Sequence, residues 1–318
     1  MIKTVALNAG KLDFDGKLAF APLTQLTDLT RYAASSQSDI LDRVQDQTVI
    51  ISKELPLGGE LIRKMPDSVK LICEAGTGYN NIDITAAREK KITVCNVPGY
   101  STGAVAQLAI ACILNFSSSL SLQKTMLQAK DFSNFTRHLQ VPHFELNAKT
   151  LGLIGAGAIS RQTAVVAHAL GMNILVYSRS RKDWADLNAA FVSLDEVLAA
   201  ADFLSIHCPL TPETRHLLDR HRFGQMKSTA YIINTARGPI IHEADLIDAL
   251  QNKRLAGAAL DVQDPEPPAL DNPLFTMDNV LLTPHIGWQT LESRQRLIGL
   301  LADNIAAWLQ GKPVNTVA

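Results

Sequence analysis

Short apolar, β-branched runs alternate with helical patterns over the second half of the chain. Six such runs follow one another from about residue 150, and each has the length of a buried strand. Helical spacing of apolar residues separates most of them, and Ser193 with Glu196 gives SLDEVLAAA a capping-box start. The runs are TLGLIGA (150–156), NILVYSR (173–179), DFLSIHC (202–208), AYIINTA (230–236), GAALDV (257–262) and NVLLTPH (279–285). Six strands with helical crossovers predict an α/β fold with a doubly wound, Rossmann-like parallel sheet.

The first part of the chain repeats this alternation on a smaller scale. Its strand-like runs are KTVALNA, TVIISKE, LICEAG and TVCNV, joined by helical stretches such as DITAAREKK. We therefore expect two doubly wound parallel-sheet domains, the smaller of them flavodoxin-like. A length of 318 residues also favours two domains over one core.

Composition and charge narrow the class of protein. Hydrophobic residues make up 47% and charged residues 19% of the chain, and the formal net charge is −1. These values are typical of a globular protein. The net charge gives no overall positive potential that would attract nucleic acid or anionic membranes. The N-terminus lacks the apolar core of a signal peptide, and AVAQLAIACIL is too short to span a membrane.

The four cysteines, at positions 73, 95, 112 and 208, form no C-x-x-C pair, and no H-x-x-x-H pair occurs. Scattered thiols are typical of the reducing cytoplasm. The sequence therefore predicts a cytoplasmic protein with no metal site, no nucleic-acid partner and no membrane partner.

A glycine-rich turn follows the first of the six strands. Gly155 and Gly157 match the first two glycines of G-x-G-x-x-G, and Ser160 replaces the third. In such turns the backbone of the strand–helix junction approaches a pyrophosphate, and the helix N-terminus supplies partial positive charge. The motif alone is common, but at the head of six strands it predicts dinucleotide binding by Gly155, Ala156, Gly157, Ala158 and Ile159.

The second strand ends in hydroxyls and cations. Ser178 lies about 20 residues after the glycine turn, where an acidic residue would bind the ribose 2′-hydroxyl of NAD. Ser178 removes the repulsion of a 2′-phosphate, while Arg179 and Arg181 offer guanidinium donors. We therefore predict NADP(H) in preference to NAD(H), with Ser178, Arg179 and Ser180 in contact with it. The alternative is a solvated basic loop.

The remaining strand ends also carry chemically capable residues. Ligands bind outside the carboxyl ends of strands in such sheets. The residues found there are Cys208 and Pro209, then Arg237, then Asp261 with Glu266 just beyond, and finally His285.

Several segments together resemble the D-isomer-specific 2-hydroxyacid dehydrogenase family. They run in family order over nearly the whole chain: AGTGYNNIDITAAREKKITVCNVPGYST, LGLIGAGAIS, HCPLTPETRHLL, INTARGPIIHEADLIDAL, GAALDVQDPEPP and LTPHIGWQT. NVPGYST and PHIGW are most similar to the hydroxypyruvate reductase (glycerate dehydrogenase) and glyoxylate reductase branch. The resemblance implies an NAD(P)-dependent oxidoreductase that acts on a small 2-oxo or 2-hydroxy acid.

The resemblance also implies a catalytic set of Arg237, Glu266 and His285. Reduction of a 2-oxo acid needs a hydride at the keto carbon and a proton at its oxygen. His285 is the candidate general acid, because imidazole titrates near neutrality. Glu266 would fix the tautomer of His285 and favour the protonated ring. Arg237 would bind the substrate carboxylate and polarise the ketone.

Further assignments follow from the same resemblance. The backbone amides of Thr77 and Gly78 would receive the substrate carboxylate. Asp261 would accept a hydrogen bond from the nicotinamide carboxamide. The backbone of Thr235 and Ala236 would contact the nicotinamide, and Cys208 and Pro209 would also bind the cofactor.

Family architecture gives the expected layout of the chain. Residues 1–97 with 287–318 would form the substrate domain and residues 98–286 the dinucleotide-binding domain, with substrate between them. One long helix over STGAVAQLAIACILNFSSSLSLQKTM would enter the larger domain, and LESRQRLIGLLADNIAAWLQ would return to the smaller one. The weakly periodic segment DFSNFTRHLQVPHFELNAKT would form the arm of a homodimer; the alternative is a surface loop.

Three interpretations of function stay open at this point. The first is an NADP(H)-preferring hydroxypyruvate or glyoxylate reductase. The second is an NADH-dependent, D-lactate-like dehydrogenase, and the third is a non-catalytic, dinucleotide-sensing regulator resembling corepressors of this fold. Gln107, Gln263 and Trp288 depart from the family pattern or have no assigned role.

Overall fold

The computed structural model describes residues 1–318. It contains twelve β-strands and twelve α-helices. The strands are β1 (Ile2–Ala6), β2 (Thr27–Arg31), β3 (Val49–Ser52), β4 (Leu71–Glu74), β5 (Thr93–Cys95), β6 (Thr150–Ile154), β7 (Asn173–Tyr177), β8 (Ala190–Phe191), β9 (Phe203–Ile206), β10 (Tyr231–Asn234), β11 (Gly257–Leu260) and β12 (Val280–Leu282). The helices are α1 (Ala21–Thr24), α2 (Gln37–Arg43), α3 (Gly59–Lys64), α4 (Ile84–Glu89), α5 (Thr102–Ser118), α6 (Leu120–Gln128), α7 (Ser133–Thr136), α8 (Ala158–Ala169), α9 (Leu194–Ala200), α10 (Arg220–Phe223), α11 (Glu243–Gln251) and α12 (Leu291–Leu309).

The chain divides into two compact units. The first unit comprises Met1–Ser101 and Trp288–Ala318, and the second comprises Thr102–Gly287. These boundaries lie within a few residues of the borders expected from family architecture. The substrate-binding and dinucleotide-binding roles of the two units stay predictions.

The first unit is a five-stranded parallel sheet in the order β2-β1-β3-β4-β5. This is the flavodoxin-like order, and it confirms the fold predicted for the smaller domain. Strands β3 and β4 are buried along their whole length, so they carry apolar residues on both faces. Helix α12 packs on one face of the sheet through Leu297, Leu301 and Ile305.

A buried arginine fastens the start of α12 within the first unit. The Arg294 side chain is almost completely buried, and its guanidinium donates to the Leu12 carbonyl at 2.8 Å. It also donates to both carboxylate oxygens of Asp15, at 2.9 and 2.7 Å. This hydrogen bonding lowers the pKa of Asp15 to about 2. A bidentate pair of this kind fixes the loop after β1 against the helix.

The second unit is a seven-stranded parallel sheet in the order β12-β11-β10-β9-β6-β7-β8. The order reverses between β6 and β9, as in doubly wound dinucleotide-binding sheets. Strands β9, β10 and β11 are buried at every residue, and apolar clusters cover both faces of the sheet. All six predicted strands are present, which confirms the larger Rossmann-like sheet.

The predicted long helix after residue 101 is broken, so the prediction of one continuous helix was wrong. Helix α5 ends at Ser118, and Ser119 adopts a left-handed conformation with φ of 50° before α6 begins. The two helices are bent by 59°. The serine hydroxyls explain the break: Ser119 Oγ donates to the Pro142 carbonyl at 2.5 Å, and Ser121 bonds to Asn115. Serine competes with helical hydrogen bonds in this way.

Two strands were not predicted. Strand β2 has the sequence TDLTR and lies at a sheet edge with mostly exposed side chains, so it lacks an apolar run. Strand β8 has only two residues. No single helix is long and apolar enough to span a membrane, although the bent pair α5 and α6 would pass that test by length and composition.

Candidate active site

The glycine turn after β6 has the conformation that its residue types require. Gly155 has φ of 103°, and a methyl group on it would lie 2.8 Å from the His207 carbonyl oxygen. Only glycine fits this approach between β6 and the end of β9. A methyl group on Gly157 would meet no atom within 4 Å, so open space lies beside the turn.

Helix α8 begins at this turn with its amides available. Gly157 is the N-cap and offers no capping side chain, so the first-turn N–H groups have no intrahelical acceptor. Ala158 and Ile159, both predicted to bind the cofactor, lie in that turn. Such a helix N-terminus suits a pyrophosphate.

Ser160 has a local role in place of the third motif glycine. It is fully buried, and its Oγ donates to the Gly155 carbonyl at 2.7 Å. The substitution therefore adds a hydrogen bond within the turn and leaves the amides of the first helical turn untouched.

The basic segment after β7 lies beside the segment after β9. Ser178 is half-buried and Arg179 is exposed, and Ser178 Oγ accepts from the Ser180 N–H at 3.4 Å. Arg179 interacts electrostatically with Cys208 and with Glu213. Ser178, Arg179 and Cys208 therefore share one end of the sheet, as predicted, while Glu213 adds an acidic neighbour that sequence reasoning missed.

Two titratable groups after β9 are uncharged at neutral pH. Burial lowers the pKa of His207 to about 4, and its ring hydrogen-bonds to Ser205 Oγ at 2.9 Å. Burial likewise raises the pKa of the Cys208 thiol to about 11. The cationic character of this end of the sheet therefore comes from arginine and not from histidine.

The turn after β10 is held by a buried asparagine. Asn234 Oδ1 accepts from the Ala236 N–H at 3.0 Å, and its Nδ2 donates to the Arg237 carbonyl at 2.9 Å. Thr235 lies within this turn, and its Oγ1 is buried with no hydrogen-bond partner. A buried polar atom without a partner is rare, and here it lies where the nicotinamide was predicted to bind.

Gly238 brings the arginine turn against the segment that carries Glu266. A methyl group on Gly238 would lie 2.0 Å from the Gln263 carbonyl oxygen. Gln263 Nε2 donates to the Leu260 carbonyl at 3.1 Å, and the Gln263 backbone N–H donates to Glu266 Oε1 at 3.0 Å. Gln263 thus shapes the loop that presents the glutamate.

Glu266 and His285 form a hydrogen-bonded pair. Glu266 Oε2 lies 2.9 Å from Nδ1 of His285. His285 has φ of 53°, in the left-handed region, which is uncommon for a residue other than glycine. Its N–H bonds to the Asp261 carbonyl at 2.8 Å and to the Thr283 carbonyl at 3.0 Å, which holds this conformation.

The Asp261 carboxylate anchors the segment around His285. It is 3% exposed, and it accepts from Thr283 Oγ1 at 2.6 Å, from the Ile286 N–H at 2.8 Å and from the Gly287 N–H at 2.9 Å. Burial raises the pKa of Asp261, and these donors act in the opposite direction. The structure therefore gives Asp261 a positioning role, and its predicted contact with the carboxamide stays a prediction.

Thr77 and Gly78 lie in the first unit, in the turn after β4. The Gly76 carbonyl accepts from the Val97 N–H at 2.9 Å, and the Thr77 carbonyl accepts from Asn96 Nδ2 at 2.7 Å. The Thr77 hydroxyl donates to the Val97 carbonyl at 3.1 Å. The carbonyls of this turn thus face protein donors, while the N–H groups of Thr77 and Gly78 donate to no protein acceptor.

In the second unit, the predicted residues lie at the carboxyl ends of the strands. Parallel strands place their carboxyl ends on the same side, and the residues after β6, β7, β9, β10, β11 and β12 lie there. Sequence reasoning missed Asn234, Gly238 and Thr283. A polar Asn inside an apolar strand run and a Gly directly after the candidate Arg are the signals that could have found the first two.

This arrangement suits proton transfer beside a dinucleotide. A carboxylate on one imidazole nitrogen fixes the tautomer and favours the protonated ring, which can then act through the other nitrogen. The open glycine turn, the uncapped α8 amides and the unpartnered Thr235 hydroxyl fit a nicotinamide dinucleotide. No group of three His, Cys, Asp or Glu side chains is arranged to hold a metal ion.

Comparison with known proteins agrees with this geometry. Residues 110–287 match the family described as D-isomer specific 2-hydroxyacid dehydrogenase, NAD binding domain. A hydroxypyruvate reductase of Blautia hydrogenotrophica is 35% identical over 314 residues, covering 98% of this chain and 96% of that protein. The chain therefore belongs to the D-isomer-specific 2-hydroxyacid dehydrogenase family, an NAD(P)-binding oxidoreductase family, which confirms the resemblance found in the sequence.

Solved structures give the same assignment. A glyoxylate reductase from Paecilomyes thermophila superposes with a TM-score of 0.87 at 31% identity, covering 100% of this chain and 99% of that one. The D-lactate dehydrogenase of Aquifex aeolicus, complexed with NAD and lactic acid, superposes with a TM-score of 0.86 at 29% identity, covering 98% and 96%.

Gly238→Ala tests the close approach of the Arg237 turn and the loop that carries Glu266. The added methyl group would overlap the Gln263 carbonyl and force the Arg237 turn away from the Glu266 loop. Misplacement by about 1 Å can cost roughly 100-fold in rate. We expect kcat for 2-oxo acid reduction to fall by that order, measured at saturating cofactor.

Gly299→Ala is the matched control. Gly299 lies inside α12 with no atom within 4 Å of an added methyl group. This variant should keep wild-type kcat. Its free energy of unfolding should rise by about 1 kcal/mol, because alanine has a higher helix propensity than glycine. Wild-type kcat in the Gly238→Ala variant would contradict the positioning role of Gly238.

Proposed function

We propose that this protein reduces a small 2-oxo acid, hydroxypyruvate or glyoxylate, to the corresponding 2-hydroxy acid with NADPH. The observation that carries the proposal is the Glu266–His285 pair, 2.9 Å apart, in the same unit as the Arg237 turn. A paired imidazole supplies the proton that carbonyl reduction needs. The similarity to a hydroxypyruvate reductase and to a glyoxylate reductase supports this substrate class.

Each residue then has one task. Arg237 binds the substrate carboxylate, and its charge stabilises the oxygen that becomes negative. The amides of Thr77 and Gly78 in the first unit are proposed as further donors to a substrate carboxylate. His285 donates its proton to that oxygen, and Glu266 stabilises the protonated ring. Asp261 and Asn234 hold the two backbone turns from which these side chains extend. When bound, the cofactor supplies the hydride.

The cofactor would be held by the glycine turn and by the basic segment after β7. The amides at the start of α8 suit its pyrophosphate, and Thr235, Ala236, Cys208 and Pro209 line the same edge of the sheet. NADPH is preferred because Ser178 carries no charge to repel a 2′-phosphate and Arg179 offers a bidentate donor. Glu213 interacts electrostatically with Arg179 and adds a negative charge near the guanidinium.

Two other functions remain as alternatives with distinct outcomes. Similarity to the Aquifex aeolicus D-lactate dehydrogenase supports an NADH-dependent enzyme of D-lactate type. A dinucleotide-sensing regulator would bind cofactor without turnover, so reduction of any 2-oxo acid separates it from the enzyme. A cytoplasmic location and the absence of metal, membrane and nucleic-acid partners stay predictions.

Glu266→Gln tests the proton-donating pair. The neutral amide no longer provides a negative charge beside His285 Nδ1, so the ring becomes a poorer proton donor to the substrate oxygen. The kcat of hydroxypyruvate reduction should therefore fall by about 100-fold, measured at saturating cofactor. Glu60→Gln, on the exposed surface of α3, should leave kcat unchanged. Wild-type kcat in Glu266→Gln would exclude Glu266 as the partner of the proton donor.

Arg179→Ala tests the choice of cofactor. In the wild type we expect kcat/KM to be at least tenfold higher with NADPH than with NADH, about 1.4 kcal/mol of discrimination. Removal of the guanidinium should bring the ratio close to one by raising KM for NADPH. Arg254→Ala, on an exposed arginine beyond α11, should keep the wild-type ratio. A wild type that prefers NADH would show that the basic segment is only solvated.

We also propose a homodimer formed through the segment around α6 and α7. This segment exposes large apolar side chains, which single chains rarely display in one region. They are Leu120, Leu127, Phe132, Phe135 and Leu139. Exposed apolar surface of this kind is typical of a protein interface.

Phe135→Asp tests the dimer, because Phe135 is 75% exposed and a charge there would oppose burial. The wild type should sediment at twice the chain mass, and the variant should dissociate at micromolar concentration. Phe275→Asp, at an exposed phenylalanine outside this segment, should stay dimeric. A monomeric wild type would identify the segment as a surface loop.

A further inference from the structure

A lysine is buried at the carboxyl end of β3 in the first unit. Lys53 is 3% exposed. Its backbone is fixed on both sides by the buried Asn8: the Lys53 N–H donates to Asn8 Oδ1 at 2.9 Å, and Asn8 Nδ2 donates to the Lys53 carbonyl at 2.5 Å. Lysine is seldom buried to this degree without a specific arrangement of partners.

The ammonium group of Lys53 has partners that keep it charged. Its Nζ donates to Glu54 Oε1 at 2.6 Å, lies 3.9 Å from the centre of the Trp288 ring and hydrogen-bonds to Tyr100. Burial acts to lower the pKa of Lys53, but Tyr100, Glu54 and Glu74 together outweigh it and the pKa is raised. The group therefore stays cationic at neutral pH.

This cation lies directly beneath the turn proposed to bind the substrate carboxylate. A methyl group on Gly76 would lie 3.3 Å from Lys53 Nζ. The same methyl group would lie 3.5 Å from Glu74 Oε1, so a buried carboxylate also approaches the turn. Glu74 accepts from Ser52 Oγ at 2.8 Å, from the Glu54 N–H at 2.8 Å and from Asn81 Nδ2 at 2.9 Å, which ties the turn to the end of β3.

The acidic groups near this turn would disfavour an anion if Lys53 were absent. Glu74 Oε1 approaches Gly76, and Glu54, which also pairs with Lys11 at 3.8 Å, bonds to Lys53 Nζ. Burial raises the pKa of Glu74, while Lys53 and the hydrogen bonds that Glu74 accepts act in the opposite direction. A buried ion pair is weak as a source of stability, since well-packed apolar residues often replace such pairs without loss. Because Lys53 lies next to Gly76, its buried positive charge is better explained by attraction of an anionic ligand to this turn.

We propose that Lys53 is a positioning residue for the substrate carboxylate: its buried ammonium offsets Glu54 and Glu74 and makes the Gly76–Gly78 turn attractive to an anion. This inference rests on the proposed function in one respect, that the anion is a 2-oxo acid. Lys53 acts through the turn and makes no direct contact with substrate.

Lys53→Met and Glu54→Gln test the proposal by the sign of their effects. Lys53→Met removes the cation and should raise both KM for hydroxypyruvate and the Kd of oxalate about tenfold, which corresponds to about 1.4 kcal/mol. The kcat should change by less than about threefold, because the proton donor is untouched. Glu54→Gln keeps an acceptor for Lys53 Nζ but removes a negative charge, so both constants should fall.

Oxalate binding is measured by calorimetry on the NADPH-loaded protein, so it does not depend on turnover. Glu54→Gln leaves Lys53 in place, which covers the case in which Lys53→Met does not fold. A purely structural role for Lys53 predicts that both variants weaken oxalate binding and lower the melting temperature together. That pattern, or an oxalate Kd in Lys53→Met within twofold of the wild type, overturns the proposal.

The two proposals fail separately in this design. A wild type that reduces no 2-oxo acid refutes the proposed function, whatever oxalate does. Opposite effects of Lys53→Met and Glu54→Gln on oxalate binding would still support the charged turn as an anion site. Normal turnover with identical oxalate affinity in both variants refutes the role of Lys53 alone.

Discussion

Parallel strand pairing is the constraint on which the rest of this structure depends. Strands that all run in one direction must be joined by crossovers, and their carboxyl ends must meet at one edge. In the seven-stranded sheet, six segments widely separated in sequence therefore deliver their side chains to the same place. The glycine turn and His285 are far apart in sequence, and the sheet brings both to the carboxyl ends of its strands.

Backbone anchoring by buried polar side chains refines what the sheet provides. Asp261 holds the segment around His285 through two amides and a hydroxyl, and Asn234 holds the turn that ends at Arg237. Both anchors sit at strand ends and are nearly or fully buried, so solvent does not compete for their hydrogen bonds. The left-handed conformation of His285 persists because its surroundings determine it.

The sequence was most informative where local chemistry and periodicity agree. The runs around β6 to β12 are apolar and β-branched because those strands are buried, and Gly155 marks a backbone conformation that other residues avoid. Strand β2 was missed because an exposed edge strand needs no apolar run. The break at Ser119 was missed because it depends on the Pro142 carbonyl, 23 residues away in sequence.

Contacts between distant segments were likewise invisible in one sequence. The sequence around Gly238 does not predict that the Gln263 carbonyl approaches it. The sequence around Lys53 likewise does not predict that Gly76 lies close to its ammonium group. The family resemblance identified Arg237, Glu266 and His285 as catalytic candidates because these residues lie in motifs. The side chains that hold those motifs in place, such as Asn234 and Thr283, became apparent only from their hydrogen bonds.

The strand order of the second unit has a consequence for how such a protein can change over evolution. The basic segment follows β7, whereas the arginine, glutamate and histidine follow β10, β11 and β12 on the other side of the switch point. Strands β7 and β10 are three positions apart, roughly 14 Å at the usual strand spacing. Substitutions at that separation act almost independently. Under the proposed function, cofactor choice and carbonyl chemistry can therefore drift as separate traits, so one lineage can exchange its electron donor while the residues proposed for catalysis stay unaltered.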